Sequence, residues 1–412
     1  MIRKVAQLIR KATETMPDLH SIETALSSLA WNKARIKFLA AALVAILTVQ
    51  SINLKKIANL FPTDADPKSA YKRLQRFLRF FDPNLDSLAI LLARLCKVAP
   101  PWNLAIDRTN WKLGRVHLNV FMLCIVEGYI GFPLLWIALE KPEKEKKPLK
   151  GSKTNKKQEE TGKKVGKVGK KVGKAGKKVG KAGNTNTQER IALMSRFLKL
   201  FGAGACACLR ADREFASRDF LIWLEEVGIS YQLRLKADIL IADAKGQMCC
   251  AGWLFRDCPI QKERSLGVRM VLGRPRFVTG TRLASGDYLI VVSDVSRPLC
   301  EYSLRWGIEP MFGAFKSRGF DLEATHVTDP TRLSRLLCLL ALAYTWSGVC
   351  GLWVFSRVGF KPDGSVKVNK HGRLPISVFR LGLDFLQPFA KMLCRSVKEC
   401  EAVTALQFLS ST

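Results

Sequence analysis

The sequence predicts an α/β fold, in which a mixed β-sheet with flanking helices follows an amino-terminal helical region and carries a β-rich insertion. Three observations predict it. Helical spacing of apolar residues extends to about Phe81, strand-like alternation begins after Pro100-Pro101, and helix and strand patterns then alternate. With 412 residues, 48% of them hydrophobic, the chain can bury a large core and form two or three domains.

We predict a helical domain over residues 1–98. Its helices are indicated at residues 38–49, 52–60 and 69–81, with prolines separating the last two. The third helix is amphipathic and basic, and Arg73 and Arg76 lie on its charged side. A compact DNA-binding domain of helix-turn-helix character, with Arg73 and Arg76 at the DNA, and a domain that packs with a basic face explain this pattern about equally well.

Three strands are predicted between residues 99 and 140. The first begins at Trp102 and ends near Asp107, and residues 116–126 and 129–139 form two more, joined by a tight turn. A helix at 188–201, a short buried strand at 203–211, a helix at 219–227 and a strand at 229–235 follow. Residues 238–286 are rich in Gly, Arg and short strand patterns and form the β-rich insertion, after which residues 288–293 add a strand. Residues 357–412 are a carboxy-terminal region of helical character that is predicted to dimerise.

Residues 141–187 are a low-complexity insertion. A Lys-Lys-Val-Gly-Lys-Val/Ala-Gly heptad occurs three times between Lys163 and Gly183. Two glycines in every seven residues each cost a helix about 1 kcal/mol, and the lysines repel one another, so we expect disorder. The segment suits a nonspecific DNA tether whose binding weakens with salt, but a solvated loop explains it nearly as well.

The charge of the chain indicates a polyanionic partner. The net charge is +32, and the Lys/Gly-rich insertion accounts for only part of it. The 12 cysteines show no zinc-type spacing, and the first residues lack the apolar run of a signal peptide, so we expect a cytoplasmic protein with reduced thiols. The apolar segments 118–139 and 336–355 are interpreted as a buried strand pair and a core helix, and no membrane is expected.

Residues 302–316 contain several side chains that are suited to catalysis or to ligand binding. In a continuous helix Tyr302, Arg305, Glu309 and Lys316 would fall within roughly 60° of one another. Surface salt bridges produce such a stripe, and so does a carboxylate metal ligand beside a bound phosphate. Pro310 interrupts a continuous helix, so we expect a bend or a helix start beside Glu309.

Two earlier aspartates complete a set of three carboxylates. Asp107 lies on the first predicted strand and Asp212 directly follows the fourth. Neighbouring strands would bring the aspartates together, and the later helix would add Glu309. Such hard oxygen ligands favour Mg²⁺ or Mn²⁺, and a pair of ions could support in-line displacement at a phosphodiester.

Asp107, the sequence Asp-Arg-Glu-Phe that starts at Asp212, and the spacing of Tyr302, Arg305, Glu309 and Lys316 resemble the DDE triad and YREK signature of bacterial insertion-sequence transposases. The resemblance runs to about Trp353. It implies a ribonuclease H-like catalytic domain in three parts, at 99–140, 188–237 and 287–356, interrupted by the β-rich insertion.

The resemblance also implies roles for single residues. Asp107, Asp212 and Glu309 would be the catalytic metal ligands for Mg²⁺ or Mn²⁺, with two ions expected. Tyr302, Arg305 and Lys316 would hold phosphates near the cleaved DNA end. Trp253 in the insertion is a candidate for stacking on a flipped base, although a core position is the alternative.

The expected function is that of a DNA transposase of a bacterial, nucleoid-associated kind, acting as a homodimer on double-stranded DNA. It would bind terminal inverted repeats, cleave the transposon ends and join the 3′-hydroxyls to target DNA. The alternative is a catalytically inactive nucleic-acid-binding protein derived from a transposase, which would use the basic helices and the Lys/Gly-rich insertion.

Overall fold

The computed structural model describes residues 31–61, 66–113, 116–140, 186–358 and 374–399. Within them the α-helices are α1 Lys33–Val49, α2 Leu54–Asn59, α3 Pro67–Phe80, α4 Leu85–Leu95, α5 Thr187–Phe201, α6 Arg218–Glu226, α7 Ile308–Phe315, α8 Pro330–Val358 and α9 Val378–Glu399. The strands are β1 Trp102–Leu113, β2 Val116–Glu127, β3 Ile130–Glu140, β4 Cys206–Ala211, β5 Tyr231–Leu235, β6 Leu240–Ala242, β7 Met248–Cys250, β8 Arg264–Val271, β9 Arg274–Arg282 and β10 Tyr288–Ser293.

The described strands form one ten-stranded mixed sheet in the order β3-β2-β1-β4-β5-β10-β9-β8-β6-β7. β1 pairs antiparallel with β2 and parallel with β4, and β4 pairs parallel with β5. The pairs from β5 through β10 to β9 and β8 are antiparallel. The predicted α/β class, with a large mixed sheet and flanking helices, is therefore confirmed.

Local sequence explains where the helices begin. Asn32, Asn53 and Asn84 each stand one residue before a helix and accept hydrogen bonds from backbone N–H groups of its first turn. α5 begins with a full capping box, in which Asn186 and Glu189 satisfy each other's backbone N–H groups.

Two predicted strands have a boundary that differs by three residues or more from the observed one. The first strand does not end near Asp107 but continues to Leu113, because its whole length pairs with β2. The predicted strand at 203–211 begins only at Cys206, after a 3₁₀ turn at Ala203–Ala205. The helix α4 was not predicted, although Asn84 supplied a capping signal.

The predicted β-rich insertion contains strands, but it does not stand apart from the sheet. β6 to β9 extend the sheet beyond β10, and Val278 of β9 lies in the same hydrophobic cluster as Phe121 of β2. The insertion is therefore continuous with the sheet that carries β1 and β4.

The amino-terminal helices also share this core. Leu43 of α1, Leu92 of α4 and Leu339 of α8 belong to the hydrophobic cluster that contains the sheet residues. α8 is long and apolar enough by length and composition to cross a membrane, but 78% of its most apolar window is buried inside the protein. This burial, together with β2 and β3 as strands, agrees with the interpretation of both apolar segments as core.

The Lys/Gly heptads and most of the insertion 141–187 lie outside the described residues, as do residues 1–30 and 400–412. Of the carboxy-terminal region, α9 is described and is helical. The predicted domain boundaries and the dimerising role of this region stay predictions.

Candidate catalytic carboxylate site

The register of two parallel strands places Asp107 beside Asp212. Ile106 of β1 and Ala211 of β4 are the last pair between these strands, so Asp107 and Asp212 are the residues that directly follow this pair. Neighbouring strands lie about 4.8 Å apart. The two carboxylates are thereby placed near each other, with Asp107 inside the ladder of β1 and β2 and Asp212 directly after the end of β4.

The stretch that carries the third carboxylate is not one helix. A 3₁₀ helix spans Leu299–Gly307, and α7 starts at Ile308. Pro310 thus falls in the first turn of α7, where a missing N–H costs no helical hydrogen bond. The expected helix start beside Glu309 is observed.

Arg305 connects Asp107 to Glu309. Its Nη1 lies 3.3 Å from Oδ2 of Asp107, and its Nη2 lies 2.8 Å from Oε1 of Glu309. The Arg305 side chain is 9% exposed, whereas that of Glu309 is 55% exposed. One buried guanidinium therefore binds a carboxylate of the sheet and a carboxylate of α7 at the same time.

Two glycines allow the helical segment to lie close to the sheet. A Cβ on Gly131 of β3 would come within 2.8 Å of the carbonyl oxygen of Gly307, and a Cβ on Gly307 would come within 2.7 Å of Val126 Cγ1. Because Gly307 immediately precedes α7, this close approach sets the position of Glu309.

Tyr302 is 2% exposed, and its hydroxyl donates a hydrogen bond of 3.1 Å to the carbonyl of Ala211. It thus anchors the residue directly before Asp212. This contact holds the end of β4 and differs from the predicted phosphate contact. Arg305 is also turned inward, toward the carboxylates.

Burial dominates the electrostatics of the site. It raises the pKa of Asp107 to about 6, against the lowering effects of the Arg108 backbone N–H and of Arg305, while Glu214 and Asp212 raise it further. Burial also raises the pKa of Tyr302, so the phenol stays protonated.

The pKa of Arg305 responds to opposing causes. Burial lowers it, but Tyr302, Asp107 and Glu309 together raise it above its ordinary value. The guanidinium is therefore a permanent cation among the carboxylates.

The donor set fits a divalent cation. Oδ1 of Asp212 is buried and accepts no hydrogen bond, with Nη1 of Arg234 3.8 Å away. An unsatisfied buried carboxylate oxygen beside Asp107 is a suitable hard ligand. With the side chains as they stand, however, no group of three or more Asp, Glu, His or Cys residues in the described ranges is close enough to hold a metal ion.

A second layer of ion pairs surrounds the aspartates. Glu214, two residues after Asp212, accepts a hydrogen bond of 2.6 Å from Nε of Arg108. Arg234 approaches Asp212 and also binds Asp287 at 3.2 Å. These pairs fix the arginines that flank the two aspartates.

The other predicted DNA contacts lie elsewhere. Lys316 is half-buried and directly follows α7, at the end of the helix opposite to the first turn that carries Glu309. Arg73 and Arg76 are exposed on α3, with Arg73 5.5 Å from the ring centre of Phe38. Trp253 is 53% exposed and stacks with Arg256 at 3.5 Å, so it is not a core residue.

Sequence reasoning missed one exposed aromatic residue at this site. Trp306 directly follows Arg305 and is 55% exposed, although the flanking Arg305 and Gly307 are buried. An exposed aromatic ring next in sequence to Arg305 can stack on a planar ligand. The position of Trp306 between Tyr302 and Lys316 was the sequence signal that could have indicated this residue.

Comparison with known proteins identifies the class of the chain. A family model described as a transposase DDE domain matches residues 100–346. The match covers more than half of the chain and includes β1, β4 and α7. The chain therefore belongs to the transposase DDE family, whose members generally use divalent metal ions.

Structural comparison gives a more distant likeness. The chain is similar to a piggyBac transposase in a synaptic complex with hairpin DNA, determined by cryo-electron microscopy, with a TM-score of 0.44 and 10% identity over 91% of this chain and 76% of that chain. No curated protein sequence matches the chain.

Proposed function

We propose that the protein is a DNA transposase that binds terminal inverted repeats, cleaves the transposon ends and joins the 3′-hydroxyls to target DNA. The observation that carries the proposal is the placement of Asp107 on β1 and of Asp212 directly after the adjacent parallel strand β4, with Arg305 connecting Asp107 to Glu309. Membership of the transposase DDE family supports it.

The sheet supports a ribonuclease H-like assignment for the catalytic domain. β1, β2 and β3 form a meander, and β4 and β5 add in parallel on the other side of β1. In this assignment Asp107 lies on β1, Asp212 directly follows β4, and α7 carries Glu309, which Arg305 connects to Asp107.

Asp107, Asp212 and Glu309 would hold the divalent cations, for which we propose Mg²⁺ or Mn²⁺ and two ions. When bound, such ions activate a water or a 3′-hydroxyl and stabilise the leaving oxygen of a phosphodiester. Arg305 keeps Asp107 and Glu309 oriented, and Tyr302 holds the backbone before Asp212. Trp306 would stack on an exposed base at the DNA end.

The substrate is double-stranded DNA, and its phosphates match the basic character of the chain, with net charge +32. The exposed cations of α3, including Arg73 and Arg76, would contribute to binding. We further propose a homodimer in the DNA complex and a bacterial, cytoplasmic location at the nucleoid.

Cleavage tests the proposal directly. Purified protein with Mg²⁺ or Mn²⁺ should cut a duplex that carries the repeats bounding its gene. Asp107→Asn, Asp212→Asn and Glu309→Gln should each lower the cutting rate at least about a hundredfold, since metal ligation is worth several kcal/mol in the transition state. Asp82→Asn, at an exposed aspartate of the amino-terminal region, is the matched control.

Equal cutting by the wild type and the three site variants would refute the assignment of the carboxylates. Duplex binding without cutting under any divalent metal would instead favour the alternative, a catalytically inactive nucleic-acid-binding protein.

A further inference from the structure

A groove separates α3 from the chain that leads into α8. It has a volume of about 490 Å³ and lies between Lys72, Arg76 and Arg79 on one wall and Thr328 and Arg332 on the other. We call it the basic groove. It shares no residue with the carboxylate site.

Within the described ranges, the cations of the basic groove have no acidic partners. Among the described residues no ion pair involves Lys72, Arg76, Arg79 or Arg332. Asp329 also lines the groove, but its Oδ1 accepts a hydrogen bond of 2.7 Å from the Arg332 backbone N–H at the start of α8. Four cations thus face one carboxylate that is already engaged.

The two walls are tied together by hydrogen bonds. Arg335 of α8 donates from Nη1 to the carbonyl of Leu78 in α3 at 3.1 Å. Asn53, which caps α2, donates from Nδ2 to the carbonyl of Ala324 at 3.0 Å. Because both walls are anchored, a ligand does not have to order the groove when it binds.

The spacing of the cations suits an extended anion. Lys72, Arg76 and Arg79 follow one face of α3 at i, i+4 and i+7, and a rise of 1.5 Å per residue spreads them over roughly 10 Å. One strand of duplex DNA carries a phosphate about every 3.4 Å along the axis. The row therefore spans about three nucleotides of a strand, which is longer than a single small anion.

We propose that the basic groove holds one strand of duplex DNA by its phosphates, with α3 on one side and Arg332 on the other. The choice of DNA rests on the proposed function, but the contact is separate from cleavage. One wall of the groove belongs to the predicted helical domain 1–98, and the other belongs to the last part of the predicted catalytic domain, 287–356. DNA held in the groove would therefore contact both of these predicted domains.

The test compares two double variants with equal net charge. Arg76→Gln/Arg332→Gln removes one cation from each wall. Lys199→Gln/Lys245→Gln removes two exposed lysines from α5 and from the turn between β6 and β7. Both variants keep residues 141–187, so the lysines of that insertion contribute equally. Affinity for a 20-base-pair duplex is measured by fluorescence anisotropy with EDTA present, from about 0.05 to 0.3 M salt.

The groove variant should bind roughly tenfold or more weakly at 0.1 M salt, and the slope of log K against log salt should fall by about 1.8, since each lost phosphate contact contributes about 0.9. The lysine variant should keep the wild-type slope. Arg76→Lys/Arg332→Lys should restore the slope, which separates lost charge from misfolding. In the wild type, duplex should protect Lys72 but not Lys199 from acetylation.

Equal losses in both double variants would overturn the proposal, because net charge alone would then explain binding. An unchanged groove variant would overturn it as well. The proposal would also be overturned if the groove variant lost binding to phosphatidylserine vesicles but kept the wild-type affinity for the duplex. Binding is measured without metal, so a wild type that binds through the groove but never cuts would refute the proposed function and leave this inference standing.

Discussion

At the scale of single residues, Arg305 is the side chain on which the site depends. Its guanidinium forms ion pairs with Asp107 and Glu309, the residues that would ligate a cation. Removing one partner of a buried ion pair leaves an uncompensated charge, which is strongly destabilising. A divalent cation could replace that missing charge.

We therefore expect Arg305→Gln to lower the melting temperature of the metal-free protein and to make it more sensitive to Mn²⁺. Saturating Mn²⁺ should raise the melting temperature of Arg305→Gln by several degrees more than that of the wild type, as measured by differential scanning fluorimetry. Arg196→Gln removes an ion pair with Asp86 and should show no such gain. Equal Mn²⁺ shifts in all three proteins would contradict this role.

The raised pKa of Asp107 predicts a pH dependence of stability. A carboxyl whose pKa is about 6 in the folded state and about 3.9 in the unfolded state binds more protons when folded between those values. Its contribution to the free energy of unfolding is therefore full below about pH 4 and is lost as pH rises through 6. Asp107→Asn should remove this decrease in the free energy of unfolding, because the amide does not titrate.

Urea denaturation with EDTA between pH 4 and 7.5 measures the free energy of unfolding of the wild type and of Asp107→Asn. Relative to the wild type, Asp107→Asn should gain up to about 3 kcal/mol of stability as pH rises across the window. This is the upper limit for a carboxyl whose pKa is about 3.9 in the unfolded state and about 6 in the folded state. Parallel stability curves for the two proteins would show that Asp107 does not titrate in this range.

At the scale of elements, the junction between the 3₁₀ helix and α7 depends on close glycine packing. Gly131→Ala should destabilise the protein by roughly 1 to 3 kcal/mol, because its Cβ would meet backbone atoms of Gly307 that cannot rotate away. Gly204→Ala is the control, since a Cβ there meets nothing within 4 Å. Urea denaturation midpoints of both variants check it, and equal midpoints would contradict the packing argument.

The sequence predicted the start of α7 but not the orientation of the residues before it or the length of β1. Pro310 correctly indicated a helix start, because its ring is compatible only with the first turn. The inward turn of Tyr302 and Arg305 could not be predicted, since it depends on contacts with Ala211 and Asp107 that lie far away along the chain. The continuation of β1 beyond Asp107 likewise depends on its pairing with β2.

At the scale of the whole molecule, sequence composition suggested separable regions, whereas the buried residues form a shared core. Periodicity identifies an apolar helix face but does not reveal which element covers it. The face of α1 packs on α8 and α9, and that of α4 packs on α8 and β3. An exposed basic side on α3 therefore does not imply that the helices around it are independent.

This shared core predicts that the amino-terminal helices and the sheet unfold together. In a urea titration, near-ultraviolet circular dichroism and the accessibility of buried cysteines should report the same midpoint. Cys96 lies just after α4 and Cys124 lies on β2, and both are buried, so their alkylation rates report on the two regions within one protein. Coincident transitions are expected because opening the helices would expose the apolar surfaces of α8 and β3. If Cys96 reacted at a clearly lower urea concentration than Cys124, the helices would be a separate folding unit, as the predicted boundary near residue 98 implies.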